Sequence, residues 1–107
     1  MNLEMRDDPY GKIISITGMV TVDNCHLLVA MGNKLASEGQ VNLVFDFNGV
    51  NFIDSAGIGT LVSISKLMKH GGGNLKLIRI NENLRRVLTL SRLDKFFSID
   101  NTLESDI

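Results

Sequence analysis

A carboxylate and a hydroxyl stand side by side in Phe52-Ile53-Asp54-Ser55-Ala56-Gly57-Ile58-Gly59, where an apolar segment gives way to helical spacing. Either oxygen suits the start of a helix, because it can accept from backbone N–H groups that lack an intrahelical partner, and the helix dipole favours negative charge there. Asp54 and Ser55 are thus both candidate caps. A serine hydroxyl beside an acid also raises nucleophilic catalysis, with His26 or His70 as the base. Three features oppose it: no Gly-x-Ser-x-Gly elbow is present, His70 falls at the far end of Ser55's own helix, and His26 sits within another helical stretch. Gly57-x-Gly59 and Gly71-Gly72-Gly73 lack the Gly-Lys-Ser/Thr of a phosphate-binding loop. The lone Cys25 has no second thiol for a zinc pair or a disulfide, and reads as a small core residue in a reducing compartment. These residues imply no enzyme, no metal and no cofactor.

Gly57 and Gly59 call for an explanation, since each costs roughly 0.5–1 kcal/mol against alanine inside a helix. Either their bare backbone lets a partner approach closely beside Ser55, or it lets the helix pack tightly on its own sheet. The sequence leaves both open.

The elements that position this stretch follow from periodicity. Asp7-Asp8-Pro9-Tyr10-Gly11 concentrates turn formers between Asn2 to Arg6 and Lys12 to Gly18, which predicts an opening hairpin. From Thr21 to Ser37, Val22, Cys25, Leu28, Val29, Gly32, Leu35 and Ala36 recur at helical steps, with Thr21 as a cap and Asp23 in the first turn. Val41 to Phe47 is a nearly continuous apolar run, the pattern of a central strand covered on both faces or nearly so. Asn48-Gly49 after it is a hairpin signal that would turn Val50 to Ile53 back as a strand. Ser55 to His70 predicts a helix stopped by the three glycines, with Lys66, Lys69 and His70 in its last turn suiting the dipole. Leu75 to Ile80 predicts a strand, and Leu84, Val87, Leu88 and Ser91 a third helix after Asn81. Strands alternating with helices imply an α/β sheet with crossover connections.

The chain has 107 residues, 44% hydrophobic and 21% charged, which suits one domain with a substantial core. A net charge of −1, from 11 basic and 12 acidic side chains, offers no overall attraction for nucleic acid or an anionic membrane. No apolar stretch approaches the ~20 residues of a membrane span, and Met1 to Lys12 lacks the pattern of a secretion signal, so a cytoplasmic location is expected. Arg85, Arg86, Arg92 and Lys95 form the one basic concentration, which is either a solvated face or a surface for an acidic partner.

Across nearly its whole length, from the strand ending at Gly18 through the Asp-Ser-Ala-Gly-Ile-Gly motif to Asn83–Phe97, the sequence resembles the STAS family, specifically the bacterial anti-sigma factor antagonists. The family's motif is Asp-Ser-Ser-Gly-Leu-Gly after an apolar strand. The resemblance implies one STAS-like domain over residues 1–107: a small mixed β-sheet of four to five strands with three to four helices mainly on one side. It also implies that Asn48 to Ile53 is a loop or strand extension leading to the helix, not a hairpin arm. By the same resemblance Ser55 is the residue phosphorylated by an anti-sigma factor that is also a serine kinase. Asp54 would position it, and a serine phosphatase would reverse the modification. Partner contacts would fall on Asp54, Ser55, Ala56, Gly57, Ile58 and Gly59, and on Thr21 and Asp23. The family often has Gly-Glu-Leu-Asp where this chain has Gly18-Met19-Val20-Thr21; Thr21 thus replaces an acidic residue, and Asp23 lies two positions on. Members of the family also serve as constitutive scaffolds or accessory subunits of stress-signalling or membrane-transport complexes, an alternative role.

Overall fold

The computed structural model describes residues 1–100. Strands β1 (Asn2–Asp8) and β2 (Gly11–Val20) form the expected hairpin, joined through Pro9 and Tyr10, with the Tyr10 amide donating to Asp8 Oδ2 at 2.9 Å. Helix α1 (Cys25–Ser37), β3 (Asn42–Ile53), α2 (Ser55–His70), β4 (Asn74–Ile78), α3 (Glu82–Leu90) and β5 (Ser98–Asp100) follow in sequence. The sheet runs β1-β2-β3-β4-β5, antiparallel in the first pair and parallel in the rest. Each helix links strands that are neighbours in the sheet, and every step goes the same way. Right-handed crossovers then place all three helices on one face.

That face holds the main core. Ile14 and Ile16 of β2, Leu43, Phe45 and Phe47 of β3, and Leu75 and Leu77 of β4 meet Leu28, Leu35, Leu61, Ile64, Met68, Leu84 and Leu88 of the helices. The alternate residues Ile13, Val44 and Ile78 form a second, smaller cluster with Tyr10 on the opposite face, where no helix packs among the described residues. The apolar run of β3 is therefore buried on both faces, but by very unequal partners.

On that second face lies Asp46, with its side chain 3% exposed. Its Oδ1 accepts from Arg79 Nε at 3.1 Å and from the Asn48 amide at 3.0 Å, and Arg79 Nη2 pairs with Oδ2. Arg79 has φ of +54°, a left-handed conformation that costs a non-glycine residue energy. β4 therefore ends at Ile78 and not at Ile80: the chain turns at Arg79, and its ion pair to β3 pins that turn. Ile80 and Asn81 then lead into α3, where Asn81 Oδ1 accepts from the Leu84 amide at 2.7 Å.

Two further boundaries depart from the periodicity. α1 begins at Cys25, four residues after the expected cap. Residues 21–24 are committed to a turn knitted by Asn24, whose Oδ1 accepts from the Thr21 amide and whose Nδ2 donates to the Met19 carbonyl, both at 2.9 Å. Thr21 Oγ1 accepts from the Asp23 amide at 3.3 Å inside that turn, so it caps the turn and not the helix, and Asp23 lies outside the first helical turn. The Asn48-Gly49 hairpin signal is also overridden. β3 continues through it to Ile53, still paired with β2 but bulged itself, with an extra residue between Asp46 and Gly49 and another between Val50 and Phe52; it is the strand extension that the family resemblance implied.

Candidate functional site

The end of β3 delivers Asp54 with an extended backbone, and α2 starts at the next residue. Of the two candidate caps, Asp54 is the one used: its Oδ1 accepts from the Gly57 amide at 2.9 Å. Its Oδ2 accepts from the Val22 amide at 3.0 Å, and its own amide donates to the Val20 carbonyl at 3.1 Å. One carboxylate thus ties the start of α2 to the turn after β2, and brings Thr21 and Asp23 alongside the Asp54–Gly59 motif. The Gly57 and Val22 N–H groups hold the Asp54 carboxyl below the usual carboxylate range. Because the folded value is the lower one, the stabilisation is complete above the ordinary carboxylate range and is lost as pH falls through the folded value. The difference in thermal midpoint between wild type and Asp54→Ala should accordingly shrink on acidification; a gap unchanged down to pH 2 would contradict the cap.

Ser55 occupies the first position of α2 and is exposed, and its hydroxyl makes no hydrogen bond to another described residue. It is presented outward, beside a carboxylate already committed to backbone donors. Asp54 is therefore poorly placed to act as a base for Ser55, and His70 ends the same 16-residue helix, on the order of 20 Å away. Among the described residues no cluster of His, Cys, Asp and Glu could hold a metal ion.

The two glycines divide between the two explanations. A Cβ on Gly57 would lie 2.6 Å from Ile53 Cγ1 and 3.0 Å from the Val20 carbonyl oxygen, so this glycine lets α2 sit against the strand ends. Around Gly59 a Cβ would meet nothing within 4 Å. Gly59 is exposed, one helical turn after Ser55 on the same face, and nothing in the fold explains it. Gly59→Ala should stabilise the protein by about 0.5–1 kcal/mol, whereas Gly57→Ala should destabilise it by about 1–3 kcal/mol through overpacking. Thermal melts of the pair check this, and destabilisation by Gly59→Ala would refute the assignment.

Ala56 and Ile58 are partly buried, Ile58 against the main core. Periodicity did not single out the neighbours that complete this surface. Met19 and Phe52, register partners at the ends of β2 and β3, are each about half exposed, and Val22 is 67% exposed although it had been counted in a helical stripe. Alternation along β3 could not have found Phe52, since it groups Phe52 with Val50, whereas the bulges of β3 bring Val50 into the main core with Phe47 and leave Phe52 outside. Arg85, Arg86, Arg92 and Lys95 are all exposed.

Comparison with known proteins follows the same lines. The STAS domain family model matches residues 1–105. The anti-sigma-B factor antagonist of Bacillus subtilis is 26% identical over 107 residues, spanning 100% of this chain and 97% of that protein. A crystal structure from Thermotoga maritima, of a protein provisionally named an anti-sigma factor antagonist, superposes with a TM-score of 0.87 at 26% identity, covering 96% of this chain and 90% of the other. The Bacillus cell fate determinant SpoIIAA, solved in its phosphorylated form, shares the fold with a TM-score of 0.75 at 16% identity, over 97% of this chain and 96% of its own.

Proposed function

Because the chain belongs to the STAS domain family, we propose that it is an anti-sigma factor antagonist: with Ser55 unmodified it binds an anti-sigma factor, and phosphorylation of Ser55 ends that binding. The observation that carries the proposal is the placement of Ser55, exposed at the first position of α2 with its hydroxyl bonded to no other described residue. A kinase can reach such a hydroxyl without unfolding anything. The helix amino terminus tolerates the added phosphate, so the domain keeps its shape.

The binding surface in this reading is the motif together with its flanks. Met19, Val22 and Phe52 supply apolar contact, Ser55 sits at its centre, and the bare backbone of Gly59 admits a partner's main chain closely. Thr21 and Asp23 lie on the adjoining turn. No refolding is needed for release, because the phosphate's charge acts at the interface itself. Incubating the protein with its cognate anti-sigma factor and ATP should place one phosphate on wild type and none on Ser55→Ala. Equal labelling of the two proteins would move the modification elsewhere and remove the proposal's basis.

A further inference from the structure

β1 is the terminal strand of the sheet: β2 lies on one side of it, and no strand lies on the other among the described residues. The outer side of a seven-residue edge strand presents a row of backbone donors and acceptors that another chain can extend. Natural edges are often guarded by charge, and Glu4, Arg6, Asp7 and Asp8 first read as such a guard. Their order, however, is self-complementary.

We propose that β1 is a self-association edge, at which two copies pair antiparallel about a two-fold axis through Met5, joining two sheets into one of ten strands. Antiparallel pairing about Met5 is the single register that overlaps all of Asn2–Asp8 with itself. It sets Glu4 opposite Arg6 of the partner subunit and Arg6 opposite Glu4 of the partner subunit, so two unlike pairs form and no like charges face each other. Moving the axis by one residue in either direction loses this: about Glu4, the glutamate meets its own copy; about Arg6, the arginine does so and Glu4 meets Asp8 of the partner subunit. Directly opposed charges decide strand pairing in this way.

The side chains suit the same arrangement. Glu4 and Arg6 lie on one face of the sheet, opposite Ser15 and Ile13 of β2, and both are exposed. Arg6 Nη1 donates to Ser15 Oγ at 2.8 Å, which holds the guanidinium along the sheet face and leaves its other donors for a carboxylate. On the other face Met5 is 49% exposed and would meet Met5 of the partner subunit across the axis. Asp7 is paired with Lys12 within the same chain, so its charge is already met at the end of the overlap. Proline is absent from β1 and first appears at Pro9, beyond it. One strand pair is a small interface, so the association should be reversible and dependent on concentration.

Sedimentation velocity of the full chain from about 10 μM to 1 mM tests this, over the range in which a contact of this size would be half-formed. Wild type should shift from monomer towards dimer, while Glu4→Arg and Arg6→Glu, each creating two like-charge pairs, should weaken association at least about tenfold. Mixing the two variants should restore it, because one then carries two positive and the other two negative residues at the paired positions. The double variant Glu4→Arg/Arg6→Glu should associate as wild type does. Circular dichroism melts within about 0.5 kcal/mol of wild type confirm that the variants are folded, as expected of exposed substitutions. Monomeric wild type at 1 mM would overturn the proposal, and so would association unaffected by either reversal or not restored by mixing.

Discussion

Ser55→Asp should bind the cognate anti-sigma factor about a hundredfold more weakly than wild type, a loss of about 2.8 kcal/mol, while Ser55→Ala should bind within a few-fold of it. A phosphate brings about −1.5 to −2 charges at pH 7, and aspartate brings one of them to the same place. In the free domain that charge is tolerated, because Ser55 is solvent-exposed at a helix amino terminus. At a docked surface it must shed water without a partner, beside Asp54, whose carboxylate is already committed to the Gly57 and Val22 amides. The penalty belongs to the complex and not to the fold. Thermal melts of Ser55→Asp should therefore stay within about 0.5 kcal/mol of wild type. Titration calorimetry with both variants separates the two effects, and equal affinity of Ser55→Asp and wild type would count against the switch.

The largest effect on stability should come from the second face of the sheet, far in sequence from the motif. Asp46→Ala removes a buried carboxylate that receives Arg79 and the Asn48 amide. It leaves a guanidinium with a side chain only 26% exposed and removes what pins Arg79 in its left-handed turn. Breaking a buried pair from one side costs about 3 kcal/mol, which for a domain of this size lowers the thermal midpoint on the order of 15 °C. Asp46→Asn keeps an acceptor for the Asn48 amide and should lose less. A midpoint for Asp46→Ala within a few degrees of wild type would show that Arg79 finds equal partners elsewhere.

The helices and strands were legible because their apolar residues repeat at clear periods, and because Gly39 and the run Gly71-Gly72-Gly73 mark real stops; Gly39 and Gly72 both adopt positive φ. The site was legible as a motif, but not in its details. Either Asp54 or Ser55 could have been the cap, and only the approach of Val22 shows why the carboxylate takes that role and leaves the hydroxyl outward. Gly57 and Gly59 look alike in sequence, yet one is packed on Ile53 and Val20 and the other faces open space. The start of α1 was misplaced because Asn24 spends its amide on the preceding turn, a choice that side-chain spacing does not record. Asn48-Gly49 signals a hairpin locally, but pairing with β2 outweighs it. Nothing in the sequence joins Asp46 to Arg79 across 33 residues, and with that pair went the true end of β4.

The central claim is that Ser55 carries a phosphate that comes and goes. Intact-mass measurement with site mapping, on protein isolated from its own cells during growth and under stress, tests it most directly. A single phosphate on Ser55 whose occupancy changes between the two conditions is the result expected. Its absence from Ser55 under every condition would contradict the switch and leave a constitutive binding role for the same surface.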